Sequence, residues 1–401
     1  HGMGHCVRQG CSQVYILSLD HSPGGFSSTM IYDGHAYIFP DMKGDGGFDD
    51  RDEFQRHLQL AIATHFMPVW RTRDRAEVDN SGLLDPTMPR GFGALKDADF
   101  RATQFGRFEW TVDGEDYFKQ YMPPSVVDME FTADDLIAEM DYAEVDGALL
   151  HRTPYLGIGN DLVADAVRSY PDRIQALAHV PEWKIAPEPD RAIAELDHAI
   201  NDLGLHGLQM LPDHMALYGQ STEWDADGLI PFWDHFATLG VPLFVTPGYT
   251  SLARTGSGAG MDLSEFETVS RFMERYPDVS LVLTHGLSWR SFADENGIDV
   301  PDDVYDALPI DNPNFHVQLL FAIFFGGMYD YPMPQIRPAL EKVVERLGAD
   351  RLMWGTDIPM VMRFQTYRQS LDSLRLNLDF LDQADIDLIC GGNTARLMGV
   401  G

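Results

Sequence analysis

Three cysteines in 401 residues, Cys6, Cys11 and Cys390, allow at most one disulfide and form no C-x-x-C pair. That excludes zinc-ribbon and dithiol redox chemistry and fits a reducing, cytoplasmic setting. Cations are scarce as well: 29 Lys and Arg face 62 Asp and Glu, a formal charge of −33. Nucleic acid is therefore not expected as a partner, because phosphate binding needs dense Lys and Arg. An anionic substrate would have to find a local arginine cluster. No apolar run approaches the roughly 18 residues of a membrane span, so no membrane partner is expected, and 14–19 is too short for a secretory core. Repeats and low-complexity tracts are lacking too.

What is present is alternation. Residues 1–29 have no amphipathic period and read as a tag or non-native leader. From Met30 onward, short β-branched runs alternate with amphipathic stretches, the pattern of βα units around a parallel sheet. Strands are expected at 30–35, 147–151, 174–179, 207–210, 242–246, 280–285, 315–320 and 351–354. Helices are expected at 51–66, 132–144, 161–170, 188–203, 364–374, 384–390 and 393–398. Thr132 and Asp135 have the spacing of a weak capping box. Eight parallel strands in this order close most simply as a (β/α)8 barrel, an α/β fold, spanning 30–401 as one domain with a helical insertion over 41–130. Active sites of such barrels lie at the C-terminal strand ends. There the sequence places His35, His151, His179, Gln209, Thr246, His285 and Asp357.

Three segments carry a resemblance: His35-Ala-Tyr-Ile-Phe-Pro at the first strand, Leu281-Val-Leu-Thr-His-Gly at the sixth, and Ala349-Asp-Arg-Leu-Met-Trp-Gly-Thr-Asp-Ile-Pro at the eighth. With the closing stretch Gly392-Asn-Thr-Ala-Arg-Leu-Met, they resemble the amidohydrolase superfamily, in its decarboxylase-like, amidohydrolase-related branch. The resemblance implies that His35, His285 and Asp357 gather around a divalent metal or act on its water. Two family imidazoles are missing, since Tyr37 stands in place of the second histidine of His-x-His and Val245-Thr246-Pro247 ends the fifth strand.

Ligand types accumulate elsewhere: His151, His179 with Glu182, and His65 in the insertion. Imidazole with carboxylate suits iron or manganese as well as zinc, and a phenolate such as Tyr37 suits ferric iron. Arg71, Arg73, Arg75 and Arg152 are the concentrated cations, able to receive a carboxylate or coenzyme A phosphates. The apolar run 319–331, with Gly326 and Gly327, is expected to wall a hydrophobic pocket. His198, His206, His235 and His316 sit where no chemistry is expected.

Three readings follow. The first is an iron enzyme resembling the nonheme diiron monooxygenases of platensimycin- and platencin-type diterpenoid biosynthesis. It would have two irons on His35, His65, His151, Glu182, His285 and Asp357, with O2 and a hydrophobic or acyl-thioester substrate. The second is a decarboxylase or hydrolase with one Zn or Mn on His35 and Asp357, His285 as acid/base, Tyr37 beside it, and an aromatic acid substrate. The third is a metal-free binding scaffold. The resemblance to decarboxylases also implies a homodimer.

Overall fold

The computed structural model describes residues 30–79, 82–85, 87–89, 91–247 and 263–400. The expected leader, with Cys6 and Cys11, lies outside them. Eight short strands form the frame: β1 (Tyr32–Ala36), β2 (Gly147–Leu150), β3 in two pieces (Ile174–Ala176 and Ala178–His179), β4 (Leu208–Met210), β5 (Leu243–Val245), β6 (Leu281–Leu283), β7 (Phe315–Leu319) and β8 (Leu352–Trp354). Each pairs in parallel with the next, as Tyr32 with Gly147, Ala148 with Ile174, Ala178 with Leu208, Leu243 with Leu281 and Val317 with Leu352. β3 is interrupted at Leu177, so its first piece pairs with β2 and its second with β4. The ring closes where Ala36 bridges Ile358 just beyond β8, and the Tyr37 N–H donates to the Ile358 carbonyl at 3.0 Å. This is the expected (β/α)8 barrel.

Every residue of these strands is buried, as a parallel sheet covered on both faces requires. Inside the ring Tyr32, Leu149, Leu177, Phe244, Val282 and Met353 pack into one cluster, which Ala395 and Met398 of the helix Asn393–Met398 join. The remaining core lies between strands and outer helices. Asp33 ties the ring together: buried in β1, it accepts from Tyr367 Oη (2.8 Å), from the Thr356 hydroxyl (2.5 Å) and from the Thr356 N–H (3.1 Å). Burial raises its pKa to about 7 against the pull of those donors. The loop after β8 is thereby fastened to β1.

The helix Ala133–Ala143 opens on the expected capping box: Thr132 Oγ1 accepts from the Asp135 N–H at 3.2 Å, and Asp135 Oδ2 accepts from the Thr132 N–H at 2.9 Å. Such caps stabilise by about 1 kcal/mol. The expected helix 188–203 is regular only over Pro189–Asp197 and continues as a wider turn, His198–Asp202.

The insertion is corrected by the structure. Its expected helix forms as Arg51–Thr64, capped by Asp50, but the rest is a five-stranded antiparallel sheet rather than helical. Its spatial order is Glu77–Val78, Val69–Arg71, Glu115–Gln120, Arg107–Val112 and Arg101–Ala102. The two longest strands are joined by Asp113-Gly114, both at positive φ (52° and 77°). That dipeptide is the preferred two-residue hairpin turn, because it tolerates the left-handed backbone that matches strand twist. Among the described residues no helix is long and apolar enough to cross a membrane.

Candidate active site and metal centre

β1, β6 and β8 each deliver one residue to a common point above the barrel interior. Among the described residues, His35, His285 and Asp357 are the one group of three or more His, Cys, Asp or Glu whose ligand atoms all lie within 4.8 Å of one another. His35 Nε2 lies 3.4 Å and His285 Nε2 3.8 Å from Asp357 Oδ1, and the two imidazoles stack with centroids 4.7 Å apart. His285 (φ 61°) and Asp357 (φ 66°) both leave their strands in the left-handed region. This backbone costs a residue with a side chain of order 1–3 kcal/mol, and it concentrates where function sets the geometry. After His285 comes Gly286 at φ 77°, where an added Cβ would lie 1.9 Å from Trp289 Nε1. Only glycine fits that turn.

Hydrogen bonds set the state of each member. Gln318 of β7 donates its amide to the Gly34 carbonyl (2.6 Å), so its Oε1 accepts from His35 Nδ1 at 2.8 Å. That fixes the tautomer, leaving the His35 Nε2 lone pair facing Asp357 and the Tyr37 hydroxyl, which donates to it at 3.0 Å. Burial first, then the neighbouring His151 and His285, holds the His35 pKa well below its usual value. For Asp357, burial works to raise the pKa, but His285, His35 and Arg363 outweigh it, and the carboxyl sits below the usual range. Burial and the Asp357 charge push the Tyr37 phenol up, keeping it a neutral donor. Among the described residues neither nitrogen of His285 has a hydrogen-bond partner, although both are buried and Nε2 faces Asp357. A neutral imidazole whose inward lone pair is met only by the Tyr37 hydroxyl, a second imidazole without a hydrogen-bond partner among the described residues and a carboxylate form a donor set that fits a divalent transition metal. An orphaned buried nitrogen is costly unless a ligand completes it.

The group opens on a cavity of about 340 Å³ lined by Tyr37, Tyr121, Tyr155, His65, His214, Arg290 and Arg363 as well as His285 and Asp357. Its apolar lining includes Phe66, Leu211, Ile323 and Phe324. The last two belong to the helix Phe321–Phe325, as the apolar run 319–331 led us to expect.

The other expected ligands go elsewhere, and the six-residue dinuclear set is not brought together. His151 stacks on His35 at 3.6 Å between centroids, but its Nε2–H donates to the Gly34 carbonyl at 2.9 Å. Burial takes its pKa down to about 3. Glu182 accepts from His179 Nε2 (3.2 Å) with one oxygen and from the Leu211 N–H (2.9 Å) with the other. His65 reaches the cavity, but its Nδ1 accepts from the Met67 N–H at 3.2 Å. The arginine expectation is redirected as well. Arg71 forks onto Asp74 (2.9 and 2.7 Å), and Arg73 pairs with Glu115 at 3.0 Å. Neither lines the cavity. Arg152 is buried and donates to the Ile38 and Gly157 carbonyls, a structural clamp. His198 and His235 pair with Asp202 and Asp197. Sequence reasoning missed Gln318, Arg290 and Arg363. Gln318 is a polar residue within the apolar strand Phe315–Leu319, and that mismatch was its signal.

Comparison with known proteins identifies a family. The pattern of the family described as Amidohydrolase matches residues 33–400. No curated protein matches the chain. Solved structures similar to it include a probable 2-pyrone-4,6-dicarboxylic acid hydrolase from Acinetobacter baumannii with citric acid bound (18% identity, 68% of this chain and 90% of that one, TM-score 0.49). Another is 5-carboxyvanillate decarboxylase from Sphingomonas paucimobilis (18%, 68% and 84%, TM-score 0.47). A third is a dihydroxybenzoic acid decarboxylase from Polaromonas sp. JS666 with bound manganese (18%, 68% and 87%, TM-score 0.48).

Proposed function

Since the chain belongs to the amidohydrolase family, we propose that it is a mononuclear, divalent-metal-dependent hydrolase or decarboxylase of small molecules, with His35, His285 and Asp357 as the metal ligands. The observation that carries this reading is the convergence of those three ligand atoms within 4.8 Å at the cavity wall, with the buried nitrogens of His285 left unpartnered. Zinc or manganese suits the set. A bound ion would supply Lewis-acid polarisation of a substrate oxygen and a water of lowered pKa.

The chain's own groups do the rest. Gln318 holds His35 in the tautomer that presents Nε2, the kind of outer support on which metal affinity depends. Asp357 stays anionic at neutral pH because of the imidazoles and Arg363 around it. Tyr37 offers a neutral O–H to the cavity. A two-iron oxygenase would need a second ligand set, and among the described residues His65, His151 and Glu182 do not converge into one.

The test is reconstitution. Chelator-treated protein given Mn2+ or Zn2+ is expected to hydrolyse or decarboxylate members of a panel of aromatic acids and lactones without O2, and Asp357→Ala is expected to abolish it. Turnover that requires both iron and O2 would overturn the reading.

A further inference from the structure

The cavity has a second pole, made of cations. Arg290 and Arg363 both line it, and among the described residues neither makes an ion pair with a carboxylate. This is unexpected in a chain where acidic residues outnumber basic ones by more than two to one. Arg363 is pinned by its Nε–H to the Met360 carbonyl (3.0 Å) and by one Nη to the Tyr121 carbonyl (2.8 Å). Its guanidinium lies over the Tyr121 ring at 5.3 Å. Arg290 lies over the Phe66 ring at 3.9 Å. Between them stands His65, stacked near Phe66 at 4.2 Å and edge-on to Tyr121 at 4.8 Å. His65 Nδ1 accepts from the Met67 N–H, so the neutral ring carries its proton on Nε2. Burial, with Arg363, Lys119 and Arg290 around it, keeps the ring neutral by holding its pKa well below the usual value. Lys119 closes this side from behind, donating to the Ile62 and His65 carbonyls at 2.6 and 2.8 Å.

Arg363 is partly buried and, among the described residues, has no carboxylate within ion-pair distance, feeling Asp357 only through longer-range attraction, so an anion bound beside it and the more exposed Arg290 would complete its pairing. Two guanidiniums, one of them held rigid, and an imidazole N–H match the in-plane lone pairs of a carboxylate. The same cavity offers apolar surface in Leu211, Ile323 and Phe324. We propose that Arg290, Arg363 and His65 form a carboxylate-binding subsite for a substrate with an apolar body. The carboxylate is a recognition handle held by these side chains, not by the metal ligands. This deepens the functional reading and rests on it only in taking the same cavity as the substrate site.

Calorimetry with 2-naphthoate and its uncharged twin 2-naphthamide tests the subsite, in both metal-loaded and chelated protein. The acid is expected to bind about tenfold or more tightly than the amide in both forms, as charge-assisted bonds allow. Arg363→Gln should erase that preference in the metal-loaded and the chelated protein alike. Arg290→Gln, whose side chain is exposed and should not disturb folding, is expected to reduce it severalfold, with an unchanged melting midpoint as the control. A preference seen only with metal would overturn the subsite and leave the functional reading intact. A preference in a protein that takes up no metal would support the subsite while that reading fails. Equal binding of acid and amide would overturn it, as would a preference that survives both substitutions.

Discussion

Two groups of buried histidines stand near the same cavity, and they behave differently. In one, His35 and His285 converge with Asp357, one nitrogen aimed inward and two unpartnered. In the other, His57, His179 and His214 surround Glu182 and Trp183; among the described residues His179 Nδ1 and His214 Nδ1 are also unpartnered, but His57 Nε2 and His179 Nε2 are each taken by a neighbour and no three ligand atoms converge. His57 Nε2–H donates to Tyr218 Oη at 3.0 Å, that hydroxyl donates to Glu53 at 2.5 Å, and His179 takes Glu182. His57 stacks on Trp183 at 5.3 Å. The difference teaches that imidazoles at strand ends do not make a metal site by number. What decides is whether an outer partner turns each lone pair toward a shared point, as Gln318 does for His35.

That comparison can be sharpened first at Gln318. Gln318→Leu removes the acceptor that fixes His35, and titration with Mn2+ or Zn2+ is expected to show affinity about 10–100-fold weaker, the usual cost of losing an outer-shell partner. Glu182→Gln, in the other group, should leave metal affinity within about twofold. A smaller effect separates the groups by pH. Burial lowers the His214 pKa to about 4, whereas the unfolded chain titrates near 6.5. Between those values the unfolded state binds the extra proton. The neutral buried ring therefore contributes full stability above about pH 6.5 and loses it as pH falls toward 4. Thermal melts of His214→Gln from pH 7 to 4.5 are expected to show a flatter decline than the unsubstituted chain, and a parallel decline would break the assignment.

The barrel was legible because its signals are local. The eight apolar runs became β1 to β8 almost in place, and the capping box at Thr132 formed as its spacing indicated. His35, His285 and Asp357 were legible because each stands at or just beyond the end of a strand in a recognisable segment. The dinuclear set was not, since sequence positions at strand ends carry no information on where a ring nitrogen points. Glu182 reads like a ligand until the Leu211 N–H and His179 claim its oxygens. The insertion sheet had a readable mark in Asp113-Gly114 between its two longest strands, but the one strong amphipathic stretch, 51–66, led to the expectation of a helical insertion. Arg71 and Arg73 illustrate the converse: clustered cations found acidic neighbours on the outer sheet, while isolated Arg290 and Arg363 were brought together at the cavity by different loops.

The account turns on one site of one ion. Elemental analysis of the purified chain after incubation with Mn2+, Zn2+ and Fe2+ is the most direct measurement, repeated on Asp357→Ala and Glu182→Gln. One divalent ion per chain, lost in Asp357→Ala and retained in Glu182→Gln, is the predicted result. Two ions per chain, with one of them lost in Glu182→Gln, would contradict it.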